Sequence, residues 1–110
     1  MTGYPTFLHV EPVRKLAGRA ATPSSKPETQ RAILAATLAR GKSVLHNDLR
    51  CVETSTMKEA CRAIGAVIDE KPGRLEIHGV GRELRSGQRV IDAIGSGLVF
   101  RTFAALTCFA

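Results

Sequence analysis

The sequence predicts an α+β fold in two layers, with a βαβαββ unit over residues 18–78 and the beginning of a second unit over residues 79–110. Three observations lead to this prediction. The chain has 110 residues, of which 44% are hydrophobic, and this suits a single domain with a core. Segments with apolar residues at helical spacing alternate with short stretches typical of strands. The turn sequence Glu70-Lys71-Pro72-Gly73 joins two of these stretches into a hairpin.

The N-terminal part contains a predicted strand, a loop and the start of a helix. Thr6–Val10 is strand-like, and Gly18–Ser25, which is rich in Gly, Ala, Ser and Pro, is predicted to be a loop. Ser25 and Glu28 have the spacing of a capping box. Pro27 then falls in the first helical turn, where its missing N–H costs nothing. A helix is therefore expected to begin at about residue 26.

This first helix is predicted over residues 26–39, because Gly41 stands just past its end. Four residues at helical spacing should form its buried stripe: Ile33, Leu34, Thr37 and Leu38. Lys42–His46 follows as a predicted strand, and Asn47-Asp48 as a turn.

A second helix is predicted from about Thr54 to Ala63, with Gly65 as its stop. Its buried face should consist of Met57, Ala60, Cys61 and Ile64. Ala66–Asp69 and Arg74–His78 then form the two strands of the hairpin.

The last third of the sequence contains a polar connection and a final apolar element. Gly79–Gln88 is the connection, and the apolar run Val90–Ile94 follows it. Leu98–Phe109 is apolar enough to predict a buried helix. The sequence stops inside this element, which indicates a truncated piece or a part of a larger fold.

The charge of the chain favours an anionic partner. The formal net charge is +6; residues 1–50 hold eight basic and three acidic side chains (+5), and residues 51–110 hold eight and seven (+1). Small phosphorylated or carboxylated molecules, nucleic acid and acidic lipids all fit such an excess. Nucleic-acid binding is disfavoured, because base-stacking proteins rely on aromatic side chains and this sequence has only five, with no Trp.

The cysteines and histidines give no sign of a metal site or a cofactor. The three cysteines are far apart and form no Cys-x-x-Cys pair, so we expect free thiols. Each of the three histidines stands alone in a strand-like stretch. The sequence also has no secretory signal and no run of about 20 apolar residues, so we expect no membrane partner and a reducing cytoplasm.

Two places have the outline of an anion site. Four polar residues surround the start of the first helix, where free backbone N–H groups favour anions: Ser24, Ser25, Lys26 and Arg31. Gly95-Ser96-Gly97 precedes the last helix, and Arg101 lies one turn further on. Solvated side chains at the first place and an ordinary tight turn at the second are the alternatives. No pair of acidic residues or Cys–His pair has a diagnostic spacing, so we predict no catalytic residue.

In this order, the motifs resemble the N-terminal part of the enolpyruvyl transferases, and most closely the enolpyruvylshikimate-phosphate synthase (3-phosphoshikimate carboxyvinyltransferase) branch. Thr22-Pro23-Ser24-Ser25-Lys26 with Gln30-Arg31-Ala32 looks like the family's Pro-Gly-Ser-Lys-Ser and Asn-Arg-Ala segment. Gly41–Asn47 and Met57–Gly65 follow in register, and Ile94–Arg101 is similar to Gly-Asn-Ala-Gly-Thr-x-x-Arg. The resemblance implies transfer of an enolpyruvyl group from phosphoenolpyruvate to shikimate 3-phosphate, without a metal.

The resemblance also implies roles for four substrate-binding residues. Lys26 matches a lysine that contacts both substrates, and Arg31 matches an arginine on the shikimate side. Gly97 matches a glycine of the phosphoenolpyruvate site, with Arg101 matching an arginine nearby.

Several positions depart from the family pattern, and each is expected to lose a polar contact: Pro27, Val52-Glu53, Gly95 and Leu98. The family fold has two domains, and this chain corresponds to the first part only, so catalysis by the chain alone is not expected. A complementing chain or a second copy would then be its partner. The alternatives are a non-catalytic protein-interaction module of the same fold and a weak RNA-binding domain.

Overall fold

A computed structural model describes residues 6–85 and 90–109. The described part of the chain contains three α-helices and three strands, which confirms the α+β class. The elements in chain order are α1 (Lys26–Leu38), β1 (Arg40–His46), α2 (Val52–Ala63), β2 (Val67–Lys71), β3 (Arg74–Val80), α3 (Gly97–Leu106) and a final 3₁₀ turn (Thr107–Phe109).

The strands form an antiparallel sheet in the order β1-β3-β2. The predicted hairpin is correct: β2 and β3 are joined by a tight turn in which Gly73 has a φ of +68°. Along β3, Leu75 and Ile77 are fully buried, whereas His78 is exposed. The central strand therefore turns its apolar side chains into the core.

The core is built mainly from α1, α2 and β3. The predicted buried face of α2 is confirmed in full, since Met57, Ala60, Cys61 and Ile64 are all buried. On α1, Ile33 and Thr37 are buried, but Leu34 and Leu38 are only half-buried. The buried face of α1 is rotated towards three residues that the prediction left out: Thr29, Gln30 and Ala36.

Gly79 explains how α1 packs against the end of β3. A Cβ atom at this position would overlap the carbonyl oxygens of Ala36 and Ala39 at the C-terminal end of the helix. The Gly81 N–H donates to the Ala39 carbonyl at 3.0 Å, so the helix end is also bonded to the chain that leaves β3. Only glycine allows this close approach.

The predicted strand at Thr6–Val10 is wrong. Residues 6–25 contain neither helix nor strand, and Thr6–Val10 is exposed throughout. A strand needs a neighbour to accept and donate its backbone hydrogen bonds. Within the described residues β1 pairs only with β3, and the N-terminal segment joins no edge of the sheet. Residues 26–80 therefore have the order αβαββ, without the expected first strand.

The other boundaries shift by a few residues. Gly41 lies inside β1, not between helix and strand, and β3 continues through Val80 into the predicted polar connection. Residues 86–88 of that connection lie outside the described part of the chain.

The predicted buried helix Leu98–Phe109 is correct in position but buried on one face only. Val99 and Phe103 are buried, whereas Phe100 is 66% exposed. In residues 6–85 and 90–109, no helix is long and apolar enough to cross a membrane. The three cysteines are free, as expected, and burial raises the pKa of the Cys61 thiol to about 11.

Candidate functional site

The N-terminus of α1 has the capping contact and the first-turn proline that the sequence predicted. The Ser25 hydroxyl accepts a hydrogen bond from the Glu28 N–H at 3.4 Å, and Pro27 occupies the first turn. Lys26 is the first residue of the helix, and its side chain is 47% exposed. A lysine ammonium therefore lies at the start of α1, where Ser25 already accepts from the Glu28 and Thr29 N–H groups and Pro27 has no N–H.

The Lys26 ammonium is paired with a carboxylate. Its Nζ lies 2.8 Å from Oε1 of Glu53, the second residue of α2. The hydrogen bond from Lys26 is the main cause that lowers the pKa of Glu53 to about 2, and the backbone N–H of Glu53 adds to it. The same contact raises the pKa of Lys26. Both groups are therefore charged at neutral pH.

Gln30 joins the start of α1 to the starts of the other two helices. Its side-chain amide Nε2 donates to the Glu53 carbonyl oxygen at 3.1 Å and to the Ser96 Oγ at 3.3 Å. Ser96 in turn caps α3 by accepting from the Val99 N–H. Gln30 is 3% exposed, so these contacts are shielded from water. The N-termini of the three described α-helices therefore meet around one buried amide. We call this place, formed by Lys26, Gln30, Glu53 and Ser96, the helix junction.

Gly97 and Arg101 lie at the same junction. Gly97 is the first residue of α3, next to the Ser96 cap. A Cβ atom at Gly97 would be 3.5 Å from the Arg101 guanidinium, so this side chain folds back over the start of its own helix. The contacts of Gln30 with Ser96 and with the Glu53 carbonyl thus link the start of α3, which carries Gly97 and Arg101, to the start of α2.

Arg31 is not part of these contacts. It is exposed and follows Gln30 directly on α1, so it projects about 100° away from the buried amide. Among the described residues its side chain makes no hydrogen bond or ion pair with the junction. The structure thus connects Lys26, through Glu53, Gln30 and Ser96, to the start of α3 that carries Gly97 and Arg101, and it leaves Arg31 to one side.

The departures from the family pattern have structural roles that the sequence did not show. Glu53, expected to lose a polar contact, makes the ion pair with Lys26. Gly95 has a φ of +76°, a conformation that favours glycine, and Leu98 packs against the core. Gln30 and Ser96 were not predicted as substrate-binding residues, although both stand in the motifs that were singled out, Gln30-Arg31-Ala32 and Gly95-Ser96-Gly97.

A separate cleft lies along another flank of α1. Its volume is about 420 Å³, and its walls include Ser24 and Ser25 before α1, Glu28 in the first turn of α1, and His46 and Asp48 where β1 ends. None of the four predicted substrate-binding residues lines it. The predicted anion site at the start of α1 is therefore divided: Ser24 and Ser25 line the cleft, whereas Lys26 is paired with Glu53.

Comparisons with known proteins agree on one family. The sequence model of EPSP synthase (3-phosphoshikimate 1-carboxyvinyltransferase) matches residues 10–110. A 3-phosphoshikimate 1-carboxyvinyltransferase of Chlamydia abortus is 40% identical over 91 residues, which is 83% of this chain and 20% of that protein. The enzyme of the same name from Methanosphaera stadtmanae is 32% identical over 103 residues, which is 94% of this chain and 24% of that protein.

A solved structure agrees with the sequence matches. EPSP synthase from Acinetobacter baumannii superimposes with a TM-score of 0.73 at 25% identity, over 81% of this chain and 21% of that chain. The chain thus spans about a fifth to a quarter of the length of these relatives. The matched part is the N-terminal part of the enzyme.

Proposed function

Because the chain belongs to the EPSP synthase family, we propose that it supplies a half-site for small phosphorylated and carboxylated ligands, of the shikimate 3-phosphate and phosphoenolpyruvate type. The observation that carries this proposal is the meeting of three helix N-termini around Gln30, with Lys26 as the first residue of α1 and Arg101 folded over the start of α3. We further propose that the chain does not catalyse the transfer alone.

The electrostatics of the junction favour an anion. Each helix N-terminus acts as about half a positive charge, and the three are added to the charges of a lysine and an arginine. Two acidic side chains, Glu28 and Glu53, lie in the first turns of α1 and α2, and Glu53 is the one paired with Lys26. A bound anion would meet backbone N–H groups, an ammonium and a guanidinium, which are the groups that hold phosphate and carboxylate in proteins.

The roles of the four residues follow the family resemblance. Lys26 would contact both ligands, and Gly97 and Arg101 would line the phosphoenolpyruvate side. Arg31 would reach the shikimate side from the exposed flank of α1. Since Arg31 makes no contact with the junction residues in the described part of the chain, its role depends on the position of the ligand and not on a preformed contact.

The junction has poor groups for proton transfer, which supports a binding role. A general acid or base works best when its pKa is near the working pH. Glu53 has a pKa of about 2, and that of Lys26 is raised above its usual value of 10.5. The chain also spans only a fifth to a quarter of its relatives. We propose that the reacting groups come from another part of the enzyme.

The domain organisation is proposed on the same grounds. Residues 26–80 would form most of a first two-layer unit, with α1 and α2 over the apolar side of the sheet. Residues 81–109 would begin a second unit, whose first helix, α3, is attached to the first unit through Ser96, Val99 and Phe103.

The test is an NMR titration of the ¹⁵N-labelled chain with shikimate 3-phosphate, with sulfate as the ionic control. We expect amide shifts around Lys26, Glu53 and Gly97, and we expect Lys26→Ala to abolish them. Lys42→Ala is the matched control, because Lys42 also forms a 2.8 Å pair with a glutamate, Glu76, but lies in β1. If Lys26→Ala binds as well as Lys42→Ala, the junction is not the site.

A further inference from the structure

The helix junction already contains an anion, and that anion belongs to the chain. The Glu53 carboxylate lies 2.8 Å from the Lys26 ammonium and is stabilised by its own backbone N–H near the start of α2. An ammonium and a helix N–H are the groups that a phosphate or carboxylate ligand would need. Glu53 thus occupies the position of the ligand's negative charge.

We infer that Glu53 is a built-in competitor of the ligand at Lys26, so that this carboxylate sets how tightly the half-site binds its anion. The inference rests on the proposed function, since it takes Lys26 to be a ligand-binding group. The inference adds to the proposed function a residue, Glu53, that weakens ligand binding. A ligand must displace the carboxylate from the ammonium or share the ammonium with it.

The geometry allows the carboxylate to move without disturbing the fold. The Lys26 and Glu53 side chains are 47% and 37% exposed, so burial locks neither of them. Gln30 holds the carbonyl oxygen of Glu53 and not its carboxylate, so the α2 backbone stays attached when the side chain turns away. The pair is therefore a contact that a ligand can exchange.

The competitor is present throughout the neutral range of pH. The pKa of Glu53 is about 2, so a change from pH 8 to pH 5 leaves the carboxylate charged. Among the described residues, Lys26 is the one cationic partner of the Glu53 carboxylate. Displacement by a ligand, and not protonation, is the way the Lys26 ammonium is released.

Substitution of Glu53 tests the inference directly. With shikimate 3-phosphate and with inorganic phosphate as probes, we expect Glu53→Gln to bind about three- to tenfold more tightly than the original chain, because an exposed ion pair of modest strength no longer competes. Glu28→Gln is the matched control: it removes the same charge from the first turn of α1, but Glu28 is not paired with Lys26. Its effect should stay below about twofold.

The double variant Lys26→Ala/Glu53→Gln shows whether the gain passes through Lys26. We expect no gain from Glu53→Gln in this background. If Glu53→Gln disturbs the fold, Glu53→Asp is the second variant, since the shorter side chain keeps the charge but draws the carboxylate back from the ammonium; it should also bind more tightly.

The outcomes separate this inference from the proposed function. If Lys26→Ala abolishes binding but Glu53→Gln binds no more tightly than the original chain, the competitor role is wrong and the half-site stands. If Lys26→Ala binds as the original chain does, the half-site itself is wrong. Equal gains from Glu53→Gln and Glu28→Gln would mean that net charge alone acts, which also overturns the inference.

Discussion

The two ends of α1 differ in almost every physical respect. At the C-terminal end, the carbonyl oxygens of Ala36 and Ala39 lie against Gly79, and Thr37 is fully buried. At the N-terminal end, Lys26 is half exposed and paired with Glu53, and buried Thr29 and Gln30, one turn further on, make side-chain hydrogen bonds to other segments. One end is fixed by backbone packing, and the other by polar contacts between side chains and helix ends.

This difference indicates which substitutions the chain can tolerate. Tightly packed backbone leaves no room for a new atom, so substitutions at the C-terminal end should act on stability. Exposed polar contacts at the N-terminal end can be exchanged for contacts with a ligand, so substitutions of the exposed residues there should act mainly on binding. The following predictions test this separation.

The largest expected effect is on stability, at Gly79. Gly79→Ala places a methyl group onto two backbone carbonyl oxygens that cannot move without shifting α1, so we expect a loss of at least about 3 kcal/mol in the free energy of unfolding. Urea denaturation followed by circular dichroism measures this loss. Such a loss would place the stabilising contacts of α1 at its C-terminal end.

Gly97→Ala is the comparison substitution at the start of α3, which the Ser96–Gln30 contact links to the N-terminal end of α1. Its new methyl group would lie 3.5 Å from the flexible end of Arg101, an ordinary contact. We therefore expect its unfolding free energy to change by less than about 1 kcal/mol. Equal losses in the two variants would refute the proposed difference between the packed C-terminal end of α1 and the helix starts around Gln30.

An intermediate effect is expected at Gln30. Gln30→Leu removes the amide that links Glu53 and Ser96, and it leaves their buried oxygen atoms without this donor, at a cost of about 1–3 kcal/mol. Hydrogen exchange should also become faster at the first amides of α3, because the link to α1 is lost. Arg31→Ala, at the exposed neighbouring position, should change stability by less than about 0.5 kcal/mol. Unchanged exchange in α3 would mean that Gln30 does not hold the junction together.

Much of the fold could be predicted because its signals are local. The start of α1 follows from Ser25, Glu28 and Pro27, which lie within one turn of one another. The hairpin follows from the tight turn at Gly73, and the buried face of α2 from apolar residues at helical spacing. Each of these needs only neighbouring residues to take effect.

The errors concern features that depend on distant parts of the chain. Thr6–Val10 has a strand-like composition, but a strand also needs a partner, and this segment pairs with none of the described strands. Gln30 contacts residues that are 23 and 66 positions away, so its role cannot be read from its neighbours. Glu53 was expected to lose a contact, because a resemblance compares residue types and does not show that Lys26 would turn towards it.

The smallest expected effect is on the acid dependence of stability. Glu53, near the N-terminal end of α1, and Glu76, on the sheet, each have a pKa of about 2, against an ordinary value of 4.5. Lys26 is the main cause for Glu53, and Lys42 is the main cause for Glu76. Between about pH 2 and pH 4.5, the folded chain therefore binds fewer protons than the unfolded chain. The stabilisation is complete above about pH 4.5 and is lost as the pH falls towards 2.

Added salt should affect the contributions of the two glutamates to stability differently. The Glu76 side chain is 10% exposed and has three cationic partners, whereas that of Glu53 is 37% exposed and is paired with Lys26. Each glutamate contributes to the decrease in unfolding free energy between pH 6 and pH 2.5, and its substitution by Gln removes that contribution. Screening acts most strongly on exposed pairs. We therefore expect 0.5 M NaCl to remove the contribution of Glu53 and to reduce that of Glu76 less. Unfolding free energies measured between pH 2.5 and pH 6 test this. If salt reduces both contributions equally, the Lys26–Glu53 pair is as firmly held as the cluster around Glu76, and a ligand would not displace its carboxylate easily.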